Sequence, residues 1–282
     1  MAEVSKAVLI TGCSTGIGRA TAERLARDGH TVYATARRLE SIADLEEEGC
    51  KILSLDVTDE DSMQAAVRQV ERAEGAVGAL VNNAGYSQSG AIEDVPMEQV
   101  RKQFETNVFG LIRMCQLVLP GMRRQSHGRL VNVSSMGGRL VFPGGGIYHA
   151  TKHAVEAISD ALRFEVRGFG IDVSIIEPGL IKTQFGETAV GSIDEATSDD
   201  GPYAEFNRAV AASTANAYGG AMSRLAAPPD AVARAVERAI TSRRPRPRYV
   251  ITLGARAMLV TRRLLPDRGW DAMMRTQFPR PS

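Results

Sequence analysis

The sequence predicts a doubly wound α/β fold in three layers, a parallel sheet of about seven strands with helices on both sides. Two observations carry this reading. Short runs rich in β-branched residues recur along the chain, each followed by a helical pattern long enough to cross over to a parallel neighbour. The runs are also continuously apolar instead of alternating, as strands must be when helices cover both faces of their sheet.

Six runs read as strands, at residues 7–11, 31–36, 51–55, 79–82, 129–133 and 172–176. Amphipathic stretches at 18–28, 59–74 and 149–167 supply crossover helices, and a further helix at 230–241 leads to a seventh strand at 249–253. The connector Arg243-Arg244-Pro245-Arg246-Pro247-Arg248 is extended, because each proline removes a donor and biases its predecessor away from helix. Residues 184–227 break the rhythm with Gly, Ser, Asp and Ala. They are expected to form a mobile helical insertion, a lid over one end of the sheet.

Composition bounds the function classes. A chain of 282 residues with 44% hydrophobic, 5% aromatic and 27 glycines suits an α/β enzyme of one domain over 1–253, followed by a basic extension at 254–282. The net charge of +1 hides an asymmetry: residues 241–282 hold ten arginines and two aspartates, leaving 24 basic and 31 acidic groups before them. Such a field does not support nucleic-acid binding, and no recognition motif accompanies the arginines. Oligomer packing is the first reading of this tail, and contact with an anionic membrane surface the second. Cys13, Cys50 and Cys115 cannot all pair with one another and none has metal-ligand spacing, so neither a disulfide scaffold nor a metal site is expected. With no signal or membrane-spanning pattern, the expected location is cytoplasmic.

The first strand runs into Gly12-Cys13-Ser14-Thr15-Gly16-Ile17-Gly18 and then a helix. Glycines at such a turn let the backbone approach a pyrophosphate, and the helix N-terminus offers unpaired N–H groups. Gly12, Ser14, Thr15, Gly16, Ile17 and Gly18 are therefore candidates for binding a dinucleotide. Where NAD-preferring sheets of this kind close the second strand with a carboxylate, this chain has Arg37-Arg38. Two guanidinium groups beside the adenosine ribose attract a 2′-phosphate, so the expected cofactor is NADP(H).

Tyr148 and Lys152 are four residues apart at the start of a helix and so share a face. A nearby ammonium favours phenolate and would lower a tyrosine pKa of about 10, fitting the phenol to exchange a proton with a substrate oxygen. Ser135 closes the fifth strand thirteen residues earlier, where its hydroxyl can hold that oxygen. His149 and His153 read as surface residues beside this helix.

Together these motifs resemble the short-chain dehydrogenase/reductase family, whose domain is a Rossmann fold, over about residues 5–253. Thr11–Gly18 matches its Thr-Gly-x3-Gly-x-Gly turn, residues 82–85 its Asn-Asn-Ala-Gly sequence, and Tyr148 with Lys152 its Tyr-x3-Lys pair. The resemblance implies a tetrad of Asn107, Ser135, Tyr148 and Lys152. Asn107 would hold a helix kink whose freed carbonyl binds a water joined to Lys152. It also implies that Asp56 and Val57 lie beside the adenine and that Asn83, Ala84 and Gly85 border the adenosine ribose. Pro178, Gly179 and Thr183 would flank the nicotinamide, and Lys152 would touch its ribose. A weaker similarity of the second strand's end to hydroxysteroid, retinol and acyl-dihydroxyacetone-phosphate reducing members implies an apolar substrate. Met136, Val141, Phe142, Leu180 and Phe185 are the pocket candidates. The function read from the sequence is thus an NADP(H)-dependent oxidoreductase interconverting carbonyl and alcohol, a homodimer or homotetramer, with a non-catalytic cofactor sensor as the alternative.

Overall fold

The computed structural model describes residues 4–196, 201–220 and 226–279; residues 197–200 and 221–225 of the expected lid lie outside the described residues. Its sheet has seven parallel strands in the order β3-β2-β1-β4-β5-β6-β7. They are β1 (Val8–Ile10), β2 (Val32–Ala36), β3 (Lys51–Ser54), β4 (Ala79–Asn82), β5 (Gly128–Val133), β6 (Ile171–Glu177) and β7 (Arg248–Val250). The strands β1, β2 and β4 are wholly buried, whereas the edge strands β3 and β7 are partly exposed. Continuous apolarity thus marks the centre of the sheet.

The helices are α1 (Gly16–Arg27), α2 (Glu60–Glu74), α3 (Met97–Phe104), α4 (Gly110–Arg124), α5 (Gly146–Val166), α6 (Phe185–Ala196), α7 (Ala204–Gly219), α8 (Pro229–Thr241), α9 (Leu253–Leu264) and α10 (Asp267–Arg275). On one face, Leu9, Leu80, Leu130 and Val173 pack against Met63 and Val67 of α2, Met114 and Val118 of α4, and Val155 of α5. On the other, Val8, Ile10, Val81, Val131 and Ile176 pack against Ala22 and Leu25 of α1 and Val232 and Val236 of α8. Alternate residues of the same strands feed the two cores, as the period of two requires.

Local signals fix the ends of these elements. Asp59 caps α2 by accepting from the Ser62 N–H at 3.0 Å, with Glu60 and Asp61 favourably placed at the positive end of the helix dipole. The expected strand 249–253 is shorter than predicted. Thr252 accepts from the Ala255 N–H at 3.1 Å, which caps α9 and draws Leu253 into the helix. Among the described residues, the insertion 184–227 holds α6 and α7, and a bridge joins Ile181 to Ala227.

The C-terminal helices fold back onto the body. Trp270 and Met274 of α10 are buried with Leu140, and Phe142, Met258, Leu259 and Phe278 pack around them. The indole N–H donates to the Val141 carbonyl at 3.3 Å. The segment 140–142, at the sheet's carboxyl end, therefore rests on the C-terminus of the chain.

Candidate active site

The carboxyl ends of β4 and β5 and the start of α5 bring Asn107, Ser135, Tyr148 and Lys152 into one neighbourhood. Between α3 and α4 the helix widens into a π turn at Glu105–Phe109, and Asn107 sits within it, buried. Its side chain accepts from the Tyr86 N–H at 3.1 Å and donates to the Tyr86 carbonyl at 2.9 Å and to Thr151 Oγ1 at 3.1 Å. Asn107 therefore couples the β4 loop to α5. Gly85 makes room for this: a Cβ there would stand 3.0 Å from Asn107 Oδ1 and 3.7 Å from Lys152 Nζ.

Ser135 follows β5 and its hydroxyl accepts from the Gly137 N–H at 3.0 Å. Lys152 is buried, donates to the Val133 carbonyl at 2.9 Å and holds its Nζ 5.8 Å from the centre of the Tyr148 ring. Burial pushes the lysine down to about 8, with Glu156 opposing the shift. The phenol moves the other way. Burial lifts its pKa above the ordinary tyrosine value, with neighbouring Ser135 opposing the shift. Desolvation, not the lowering expected from Lys152, governs the phenol, and the protein's own groups hold Tyr148 as a protonated donor.

His149 corrects the surface reading. It is 6% exposed, its Nδ1 lies 3.1 Å from the Gly137 carbonyl, and burial pushes its pKa down to about 4, so the ring is neutral. A Cβ on either Gly137 or Gly145 would collide with this ring. The imidazole also meets Tyr148 at 5.5 Å and Phe142 at 5.9 Å, and Phe142 meets Trp270 at 6.2 Å. Packing thus runs unbroken from α10 to the phenol.

On α6, the Phe185 ring packs 5.5 Å from Tyr148 and 6.3 Å from Tyr218 of α7, a residue absent from the sequence reading. A Cβ at Gly186 would overlap the Tyr218 ring. Of the other pocket candidates, Met136 donates its backbone N–H to the Pro178 carbonyl at 2.9 Å, Leu180 is partly buried after β6, and Val141 is 44% exposed.

The glycine turn opens the same end of the sheet. Gly12 has φ +73 and Gly16 φ +61, values natural to glycine, and a Cβ at Gly18 would overlap the Gly12 carbonyl oxygen. Asn83 secures the turn by donating to the Thr11 and Gly12 carbonyls, each at 2.9 Å, and the Ala84 N–H donates to Thr11 Oγ1 at 3.0 Å.

A family model described as short chain dehydrogenase matches residues 6–192. The chain belongs to the short-chain dehydrogenase family. It is 35% identical over 282 residues to the uncharacterized oxidoreductase YusZ of Bacillus subtilis, covering 97% of this chain and 98% of the relative. It is 40% identical over 199 residues to the 3-ketodihydrosphingosine reductase of Bacteroides thetaiotaomicron, covering 70% and 71%. With the NADPH-dependent 3-dehydrocapnine reductase of Ornithobacterium rhinotracheale it shares 34% over 274 residues, covering 93% and 94%. Among solved structures, a short-chain dehydrogenase from Streptomyces avermitilis superimposes with a TM-score of 0.75 at 34% identity, covering 93% of each chain. ElxO with NADP bound gives 0.73 at 26%, covering 90% of this chain and 99% of that one.

A short-chain dehydrogenase is an oxidoreductase served by a nicotinamide dinucleotide, and the residues here fit one. No side chain caps the N-terminus of α1 and its first turn holds no acidic residue, so the helix dipole and its N–H groups face an anion unopposed. A groove of about 380 Å³ beside the turn is bordered by Ser14, Thr15, Gly16 and Thr183, and also by Lys182, which sequence reasoning missed. Thr183 lies directly against Gly16, where a Cβ would meet its methyl group at 3.2 Å. Arg37 and Arg38 are exposed after β2, and among the described residues neither guanidinium has an ion-pair partner. Asp56 Oδ1 accepts from the Thr58 N–H at 2.9 Å and from its hydroxyl at 2.8 Å, shaping the turn after β3. Val57 lies buried beneath α4, where a Cβ at Gly110 would strike it.

Proposed function

We propose that the protein reduces a ketone on a lipid-like, largely aliphatic molecule, with NADPH as the cofactor. The observation that carries this reading is the convergence at the carboxyl end of β5 of Ser135, Tyr148 and buried Lys152, whose Nζ lies 5.8 Å from the centre of the Tyr148 ring. Residues 12–18, 83–85, 178–179 and 183 would hold the dinucleotide, with Asp56 and Val57 toward the adenine and Arg37 and Arg38 on the 2′-phosphate. When bound, the reduced nicotinamide supplies hydride to the carbonyl carbon.

The chain's own residues handle the oxygen. Ser135 donates a hydrogen bond to it, and Tyr148, held protonated by burial, gives it the proton. Lys152 in its charged form then favours the phenolate left behind, and Asn107 fixes the π turn that borders the relay. Phe142, Phe185 and Tyr218 with neighbouring Met136, Val141 and Leu180 give the substrate apolar walls, and two relatives named as reductases of 3-ketodihydrosphingosine and 3-dehydrocapnine support an aliphatic ketone.

Tyr148→Phe tests the assignment. NADPH oxidation with a long-chain ketone should fall by about 10²–10⁴-fold, while the NADPH dissociation constant, read by fluorescence, stays within about twofold. Retained turnover removes Tyr148 from the chemistry, and absence of turnover in the parent protein across ketone chain lengths favours a sensor.

A further inference from the structure

Ten arginines follow residue 240, and the fold gathers several of them far from the glycine turn. A groove of about 420 Å³ between α8 and β7 is lined by Arg238, Arg244, Arg246, Arg248 and Arg256. Arg248 is neutralised, since it pairs with Glu156, Asp160 and Glu177 at 2.7–3.0 Å. Arg238, Arg244 and Arg246 are exposed, and among the described residues their guanidinium groups meet no carboxylate within ion-pair distance. The nearby Asp230 and Glu237 are already engaged by Arg24. The groove is therefore a patch of uncompensated positive charge.

Next to it stands a helix that is apolar on both sides. Met258 and Leu259 turn the inner face of α9 toward Trp270. At about 3.6 residues per turn, Leu253, Ala257, Val260 and Leu264 form the opposite stripe, with Arg256 and Arg263 along one edge. That stripe is open: Leu253 is 81% exposed, Val260 56% and Leu264 76%. Arg256 belongs to both features, lining the groove and bordering the stripe, so the charge and the apolar face are continuous.

We propose that this face docks on an anionic lipid surface. Leucine and valine side chains would enter the boundary of the acyl chains, while Arg238, Arg244, Arg246 and Arg256 meet the head groups. The occupant follows from charge. The tail carries ten arginines against two aspartates while the preceding 240 residues carry 24 basic and 31 acidic groups, so an anionic plane attracts this face and repels the rest. A second copy would bring arginine against arginine. Docking would also set the active-site end beside the lipid, because α9 starts against the sheet's carboxyl end, where a Cβ at Gly179 would strike Thr252 and Ala255.

Flotation of the full chain with vesicles of phosphatidylcholine containing about 30% phosphatidylglycerol tests this without any turnover, so its outcome is independent of the catalytic proposal. The chain should float with these vesicles, remain at the bottom with pure phosphatidylcholine, and be released by high salt. Arg238→Glu, Arg244→Glu and Arg246→Glu together should weaken binding by about 100-fold, and Leu253→Ser, Val260→Ser and Leu264→Ser by about tenfold or more. Both variants should keep the parent's circular dichroism spectrum and cooperative thermal unfolding, which establishes that they fold. Three results overturn the proposal: no flotation of the parent, equal flotation with neutral vesicles, or flotation unchanged in the arginine variant. If the leucine variant instead changes the oligomeric state in sedimentation and vesicles are ignored, the stripe is covered by a second copy and the proposal fails.

Discussion

The two walls of the candidate site are built on different principles. On the side of β1, α1 and β4, the glycine turn is shaped by residues close in sequence and is tied to the end of β4 by the Asn83 side-chain amide and the Ala84 N–H, so its geometry follows from backbone space. On the side of α5 to α10, Tyr148 packs against His149 and Phe185, with Phe142 and Tyr218 behind them and Trp270 behind Phe142, drawn from segments up to 128 residues apart. The first wall is a motif; the second is an assembly of contacts. A motif tolerates little change within it, whereas an assembly yields gradually.

Substitution within the turn should produce the larger effects. Gly18→Ala places a methyl group against the Gly12 carbonyl, and displacing that backbone should weaken NADPH binding by about 100-fold in a fluorescence titration. Unchanged affinity would show that the turn relaxes, and the contrast between the walls would dissolve. Arg37→Ala should lower kcat/KM for NADPH by about 10- to 100-fold while NADH is little affected, the loss of a charge-assisted bond to phosphate. Equal losses for both cofactors would count against the 2′-phosphate assignment.

On the assembled wall, Trp270→Ala should cost about 3–5 kcal/mol in denaturant unfolding and raise KM for the ketone, with NADPH affinity preserved. Should NADPH affinity fall equally, the walls are not separable. The smallest effect concerns acid. The His149 pKa is about 4 in the folded chain against an ordinary 6.5, so between these values the unfolded chain takes up a proton that the folded chain refuses. Stability should therefore decline as pH falls from about 6.5 to 4 and level off below, and His149→Asn should lack that component. Parallel curves for the two proteins across that range would show that burial does not govern this histidine.

The same contrast explains what the sequence made visible. Six strands fall within one or two residues of their expected ends, because an apolar run between turn residues is a local property. Ser135, Tyr148 and Lys152 could be placed for a similar reason, at the end of a strand and one turn apart on a helix. His149 could not. Its burial depends on Gly137 and Gly145 leaving space and on Phe142 resting on Trp270, none of which shows as periodicity. Tyr218 escaped notice because only the folding back of α7 brings it to Phe185. The seventh strand stopped early on a signal that was present, Thr252 with Ala255 three residues later, a cap that competes with β-propensity for Leu253.

The neutral imidazole wedged between Gly137 and Gly145 has a practical consequence. With its ring nitrogen on one backbone carbonyl and glycines on both flanks, it pins the stretch from Ser135 to Tyr148 as a single stiff piece, hydroxyl and phenol included. An engineer wishing to admit bulkier ketones should leave that piece alone and recut the opposite side, at Phe185 and Tyr218, where aromatic faces meet without a shared backbone tether.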